Sequence, residues 1–324
     1  MADYDNDLIG DHPSMQTLRQ LVRRVGTSPA RTVLIYGETG TGKGLVARMI
    51  HRNSSRAARE FMDINCAALP ASLLESELFG HEKGAFTGAV ERKVGLIEAA
   101  NHGSIFLDEI REMDLTLQAK LLSLLDTQQF RRVGAVKATT VNVRFIAATN
   151  KVLLSEVNSG KFREDLYYRL QVVAINIPAL RDRRSDILTL TRHFMDRFNR
   201  IYQRRIDGLD PEAERILLAY SWPGNVRELE NLLERIFILE EEDTILPRHL
   251  PDRILRQVRA GVEVSGAGEG EADGFVALTH AYQRSLVAAA LERTDGNVQA
   301  AAEMLKLSRH ALRHQMIKLG FPTG

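Results

Sequence analysis

The chain has 324 residues, 44% of them hydrophobic and 26% charged, with a formal net charge of +1. At about 100–200 residues per domain, this length suggests two domains, or one large and one small. The composition is that of a globular chain able to bury a core, and any basic surface for nucleic acid must be local. One cysteine, Cys66, excludes an intrachain disulfide and reads as a small buried residue. The acidic N-terminus lacks the features of a signal peptide, and no apolar run approaches the roughly 18 residues of a membrane span. These features point to the cytoplasm.

Residues 32–36 form a short apolar, β-rich run that predicts a strand. A glycine-rich turn follows, and then Leu45, Val46, Met49 and Ile50 fall on one helical face. The runs 104–107 and 143–148 predict further strands, with Leu117, Leu121, Leu124 and Leu125 marking a helix between them. Strands alternating with helices imply an α/β fold with a mostly parallel sheet covered on both faces. After Pro178 the β signal fades, and 187–198, 211–220 and 226–239 read as amphipathic helices. An α/β subdomain over 8–178 is thus followed by a helical one over 179–256. Five glycines among Ser, Glu and Asp then predict a flexible linker over 257–277.

The tail, 278–324, reads as three helices. Gly296 and Asn297 form a turn with a good helix cap, and Val298, Ala301, Ala302 and Leu305 follow at i, i+3, i+4, i+7 spacing. Leu307 and Ser308 make a short turn, with Ser308 as the next cap, and Leu312, Met316 and Leu319 line the last helix. Two short helices across a tight turn are a helix-turn-helix pattern. Arg309, His310, Arg313, His314 and Lys318 stand mainly off the apolar face, where basic side chains can reach phosphates or guanine edges. A solvated basic face is the competing explanation.

The run Gly37, Glu38, Thr39, Gly40, Thr41, Gly42, Lys43, Gly44 matches G-x-x-x-x-G-K, with glycine where serine or threonine usually stands. Such a loop wraps phosphates with backbone N–H groups, the following helix adds its dipole, and Lys43 can reach the β- and γ-phosphates. Asp108 and Glu109 follow the strand 104–107. At that place one carboxylate can hold Mg²⁺ and a second can orient the attacking water. Without a Ser/Thr hydroxyl at Gly44, Asp108 and water must carry more of the metal coordination.

A second signature is Gly84, Ala85, Phe86, Thr87, Gly88, Ala89. The two glycines permit unusual backbone angles, and the apolar residues between them suit either a mobile contact loop or a buried hairpin. With the flanking run from Glu77, this GAFTGA sequence resembles the sigma-54-dependent transcription activators, the AAA+ enhancer-binding proteins. The stretches 64–68, 107–110, 147–150, 162–170 and 222–229 resemble further motifs of that family, in its order, and the likeness extends from about residue 8 to the end. The resemblance implies an AAA+ P-loop domain with a parallel sheet and a helical lid, followed by a small all-α Fis-type DNA-binding domain. It implies an ATPase that remodels sigma-54 RNA polymerase, with ATP and Mg²⁺ as cofactors and enhancer DNA as partner.

Roles carry over by position. Residues Gly84 to Ala89 would contact the sigma factor, Thr87 most directly. Asn65 resembles the switch residue that restrains Glu109, and Thr149 and Asn150 the first sensor. Arg163 and Arg169 resemble arginine fingers that reach a neighbouring subunit's ATP, and Arg227 the second sensor on the lid. Fingers acting in trans imply a ring, in this family a hexamer, with a lower oligomer at rest. Two departures stand out: the family commonly has glutamate at Gly44, and its Val-Gly-Gly turn is Val133, Gly134, Ala135 here. An ATPase module starting near residue 8 leaves no room for a receiver domain, so control is expected from a partner protein in trans or from expression level. Competing readings are another kind of AAA+ remodeller, or a DNA-binding regulator with a degenerate ATPase.

Overall fold

The computed structural model describes residues 8–258 and, beyond them, 287, 288, 290, 291, 294, 297–304 and 312. The chain divides into two compact units, one ending at Leu250 and the other beginning at Pro251.

The first unit is built on a five-stranded sheet of β1 (Thr32–Tyr36), β2 (Phe61–Asn65), β5 (Ser104–Asp108), β8 (Arg144–Thr149) and β9 (Ala174–Asn176). Its order is β2-β5-β8-β1-β9, and every pair is parallel. The central strands β1, β5 and β8 are buried on both faces, which is why they read as unbroken apolar runs. Alternation divides their side chains between two cores. Val33, Ile35, Phe106, Ile146 and Ala148 pack with α1 (Pro13–Thr27) and α2 (Lys43–Arg52). Leu34, Ile105, Leu107, Phe145 and Ala147 pack with α3 (Ala71–Phe79), α5 (Leu115–Thr127) and α7 (Glu164–Leu170). The register pairs Tyr36 with Thr149 and Asn65 with Asp108, so the strand ends carrying the candidate site share one edge.

Two small antiparallel pairs project loops from this frame. One joins β3 (Gly80–His81) to β4 (Lys93–Val94), the other β6 (Gln129–Phe130) to β7 (Thr139–Thr140). The helical part follows a 3-10 turn at Leu180–Arg183. It consists of α8 (Ser185–Tyr202), α9 (Pro211–Ala219) and α10 (Asn225–Leu239), tied by the short parallel pair β10 (Gly208–Leu209) and β11 (Thr244–Ile245). Phe198 and Phe237 meet between α8 and α10 with ring centroids 5.5 Å apart. Asp210 caps α9 by accepting the Glu212 N–H, and Pro211 begins it.

In the second unit a helix spans Val298–Met304, and Asn297 caps it by accepting the Gln299 and Ala300 N–H groups. Val287, Ala290, Ala301, Ala302 and Leu312 form a small buried cluster. The candidate DNA contacts Ser308, Arg309, His310, Arg313, His314 and Lys318 lie outside the described residues, as does nearly all of 257–277. Among the described residues, no helix is long and apolar enough to cross a membrane.

Candidate functional site

The phosphate-loop sequence leaves β1 and enters α2 through two residues of left-handed backbone, Gly40 (φ +80°) and Gly42 (φ +100°). It borders a cleft of about 530 Å³, within the usual range for a small-molecule site. Thr39, Gly40, Thr41, Gly42, Lys43 and Gly44 line the cleft, with Asn65, Asp108 and Glu109 beside them and Arg227 across from them. Leu8, Ile9 and Met15 supply an apolar wall. Gly37 and Glu38 face elsewhere: the Gly37 carbonyl accepts from Lys43 Nζ at 3.1 Å, and the Glu38 carboxylate turns to Arg181.

Lys43 is only 7% exposed and its Nζ lies 3.4 Å from Glu109 Oε1. Glu109 is held in left-handed backbone (φ +51°) just past β5, and its Oε2 accepts the Asn150 N–H at 3.3 Å. Arg111 approaches the same carboxylate at 3.9 Å. Burial pushes the Asp108 carboxyl above its ordinary value and the Glu109 charge adds to this, while Lys43 opposes it. Burial likewise pushes the Cys66 thiol up to about 12, with Asp108 and Glu109 adding to the effect, so it is protonated and unreactive at neutral pH.

Asn65 directs its Oδ1 to the Ala67 N–H at 2.9 Å, whereas Glu109 takes Lys43 and Asn150 as partners. Asn150 also donates from Nδ2 to Thr39 Oγ1 at 3.3 Å, and its buried Oδ1 has no partner. Thr149 is buried at the end of β8, and its carbonyl accepts the Gly37 N–H at 3.2 Å. Arg163 pairs with Asp165 at 2.6 Å, and Arg169 with Asp126 at 3.0 Å. Neither arginine lines the cleft. The Arg169 carbonyl accepts from Thr32 at the start of β1, about 16 Å along that strand from the phosphate loop.

On the helical side Arg183, Leu190, Phe194 and Glu230 line the cleft beside Arg227, and Asn225 and Arg181, which do not line it, contact the phosphate loop itself. Asn225 is fully buried and Arg181 pairs with Glu38. The Leu8–His12 segment is fixed by Asp186, whose Oδ1 accepts the N–H groups of Asp11 and His12, and by Arg19, which donates to the Leu8 and Gly10 carbonyls. The signal for that apolar wall was weak: two aliphatic residues before a glycine.

The GAFTGA segment is a tight loop between β3 and β4. Gly84 (φ +81°) donates its N–H to the Ala89 carbonyl, and Gly88 (φ +100°) leads back toward β4. Phe86 is 44% exposed and rests edge-on against His81, with ring centroids 4.9 Å apart. Thr87 is exposed at the tip, whereas Ala89 is buried. Only the anchor, not the aromatic, is part of a core. The neighbouring loop supports it: Gly134 (φ +79°) packs so close that an added Cβ would lie 2.8 Å from the Ala85 Cβ. Gly134, and not Ala135, has the positive φ.

Elsewhere Glu240, Glu242 and His249 converge. His249 Nδ1 accepts the Leu246 N–H at 3.2 Å, so the neutral ring carries its proton on Nε2, facing Glu242 at 3.3 Å. In that tautomer Nε2 offers no lone pair to a metal, and the buried atom makes no hydrogen bond to either carboxylate.

A phosphate loop, two carboxylates at the next strand end, a polar residue at the end of β8 and an arginine on a helical lid define an ATPase of the AAA+ type. Residues 8–176 match the sigma-54 interaction domain, 181–265 the AAA+ ATPase lid domain, and 282–319 the Fis family of bacterial regulatory proteins. The chain is 46% identical to the regulatory protein AtoC of Escherichia coli K12 over 313 residues, covering 97% of this chain and 68% of that one. It is 41% identical to the response regulator PilR of Pseudomonas aeruginosa, covering 98% and 71%. The structure of NtrX from Brucella abortus in complex with ATP is similar with a TM-score of 0.71 and 35% identity, covering 97% of this chain and 69% of that one. The chain belongs to the sigma-54-dependent transcription activators: it is an ATP-binding AAA+ ATPase with a Fis-type DNA-binding domain, and its partners are sigma-54 and DNA.

Proposed function

We propose that the chain binds enhancer DNA through 278–324 and works as a cytoplasmic ring, a hexamer, that converts sigma-54 RNA polymerase from closed to open complexes. The exposed, glycine-bounded tip at Phe86 and Thr87 carries this reading, because an aromatic on a short anchored loop is a surface for a partner. Residues Gly84 to Ala89 engage the sigma factor, and hydrolysis in the cleft moves them.

The chemistry divides among the cleft residues. Lys43 and the N–H groups from Thr39 to Gly44 hold the phosphates. When Lys43 turns to a phosphate it leaves Glu109, whose carboxylate is then available to orient water. Asn65, Thr149 and Asn150 report the γ-phosphate to Glu109, and the unpartnered Asn150 Oδ1 marks a polar group in need of a ligand. Mg²⁺ fits the donor set: one half-buried carboxylate, Asp108, with the remaining positions left to phosphates and water, is the usual way this ion is bound. The ion would offset the burial that raises the Asp108 carboxyl. Arg227 completes the cleft from the lid. Arg163 and Arg169, which do not line their own cleft, suit a neighbouring subunit's phosphates.

The test is Thr87→Ala, assayed for ATP turnover and for open-complex formation at a sigma-54 promoter. Turnover stays within about twofold while open complexes are lost. Normal activation by this variant would refute the loop's role.

A further inference from the structure

The turn between α9 and α10 reaches into the phosphate loop. Trp222 (φ +50°) and Asn225 (φ +53°) both hold left-handed backbone, a strained conformation for a non-glycine residue that persists where the surroundings over-determine it. Trp222 is fixed by full burial and by its Nε1–H, which donates to the Leu217 carbonyl at 2.8 Å. Asn225 is fixed by its side-chain amide. Its Oδ1 accepts the Leu180 N–H at 2.8 Å, and its Nδ2 donates to the Thr39 carbonyl at 3.0 Å and to Glu38 Oε2 at 3.1 Å. Only this amide orientation satisfies all three partners.

Two further contacts join the same surfaces. Arg181 grips Glu38 with both terminal nitrogens, at 2.8 and 2.5 Å, and this bond holds the carboxyl below its ordinary value. The Arg227 N–H donates to the Gly40 carbonyl at 3.3 Å. The approach is so close that a Cβ on Gly40 would lie 2.1 Å from the Gly224 carbonyl oxygen. The lid therefore touches the phosphate loop at the Glu38 carboxylate and at the Thr39 and Gly40 carbonyls.

We propose that Asn225 is a positioning residue for nucleotide binding: its amide ties the Thr39 carbonyl and the Glu38 carboxylate to Leu180, so that lid and phosphate loop keep one shape. This rests on the reading of the cleft as the ATP site. A loop held in its binding shape before the nucleotide arrives loses less freedom on binding. The effect acts on substrate and transition state alike, so it belongs in KM and in product affinity and not in kcat.

Asn225→Asp separates the two arms of the contact. It keeps an oxygen for the Leu180 N–H but sets a carboxylate against the Thr39 carbonyl and the Glu38 carboxylate. In the full-length protein, KM for ATP and the Kd for ADP should rise together, by about tenfold, with kcat within about twofold. Adding Glu38→Gln should recover at least about threefold of that loss, because the glutamine amide can donate to the new carboxylate. A merely structural asparagine would show no such rescue. The proposal is overturned by Asn225→Asp binding ATP and ADP as the parent does, by a loss confined to kcat, or by a loss that Glu38→Gln leaves undiminished, whether or not the single variant folds. Lys43→Ala tests the underlying reading separately: if it still bound ATP, the cleft assignment would fail whatever the double variant did.

Discussion

Gly40 and Gly84 share almost the same backbone angle, +80° and +81°, and are glycine for different reasons. Gly40 is crowded by the lid, with a backbone oxygen where its Cβ would stand. Gly84 has nothing within 4 Å of that position. In the phosphate loop glycine allows close approach, and the loop is clamped from outside by Asn225, Arg181 and Arg227. In the GAFTGA loop it serves only conformation, and Phe86 and Thr87 stay exposed. One loop is built to hold its shape and the other to leave its tip free to meet a partner.

Alanine at the two positions measures that difference. Gly40→Ala must push Gly224 away or abandon the turn, and ATP turnover should fall by about 10³-fold, the order expected when a positioned phosphate-binding backbone is lost. Gly84→Ala meets only the left-handed penalty, about 1–2 kcal/mol in a denaturation experiment, with turnover nearly unchanged. Equal losses of turnover would erase the comparison.

The next largest effect concerns Asp108. Its carboxyl is raised above the unfolded value by burial, so ionisation opposes folding. The sign is fixed by that direction. The penalty is full above the folded pKa, shrinks as pH falls through it, and is gone below the unfolded value near 3.9. Asp108→Asn should therefore raise the melting temperature of the nucleotide-free protein at pH 7, by a margin that narrows toward pH 4, while turnover falls by about 10²-fold. A lower melting temperature at pH 7 would show that the carboxylate stabilises the empty cleft.

Legibility in the sequence followed burial. Strands β1, β5 and β8 are buried on both faces and were readable within a residue or two. The edge strands β2 and β9 alternate between more buried and more exposed positions, and β9 has only three residues, so neither carries the signal of a strand buried on both faces. Helices α8 to α10 were legible from their periodicity. The cleft was legible where a motif is contiguous: Lys43, Asp108, Glu109 and Asn150 do meet. The Asn65 partner was not legible, because whether that side chain faces Glu109 or the Ala67 N–H depends on one torsion. Asn225 stood in plain view inside a motif, but its contacts join residues 186 and 187 positions apart, a distance that periodicity does not carry.

Gly44 is a third kind of glycine. It is the second residue of α2, it has no positive φ, and an added Cβ would meet only the Phe106 ring at 3.7 Å, an ordinary contact. Neither crowding nor conformation requires it. A side chain there should stabilise the fold slightly, because glycine in a helix costs up to about 1 kcal/mol relative to alanine. Gly44→Ser should raise the melting temperature by about 1–3 °C. Its hydroxyl adds a hard oxygen beside Asp108, so half-maximal turnover should need less Mg²⁺, with kcat within about threefold of the parent. A fall in turnover at saturating Mg²⁺ would give Gly44 a positive role, as clearance for a phosphate that a larger residue obstructs. It would then join Gly40 as a glycine needed for close approach, with the nucleotide and not the lid as the neighbour.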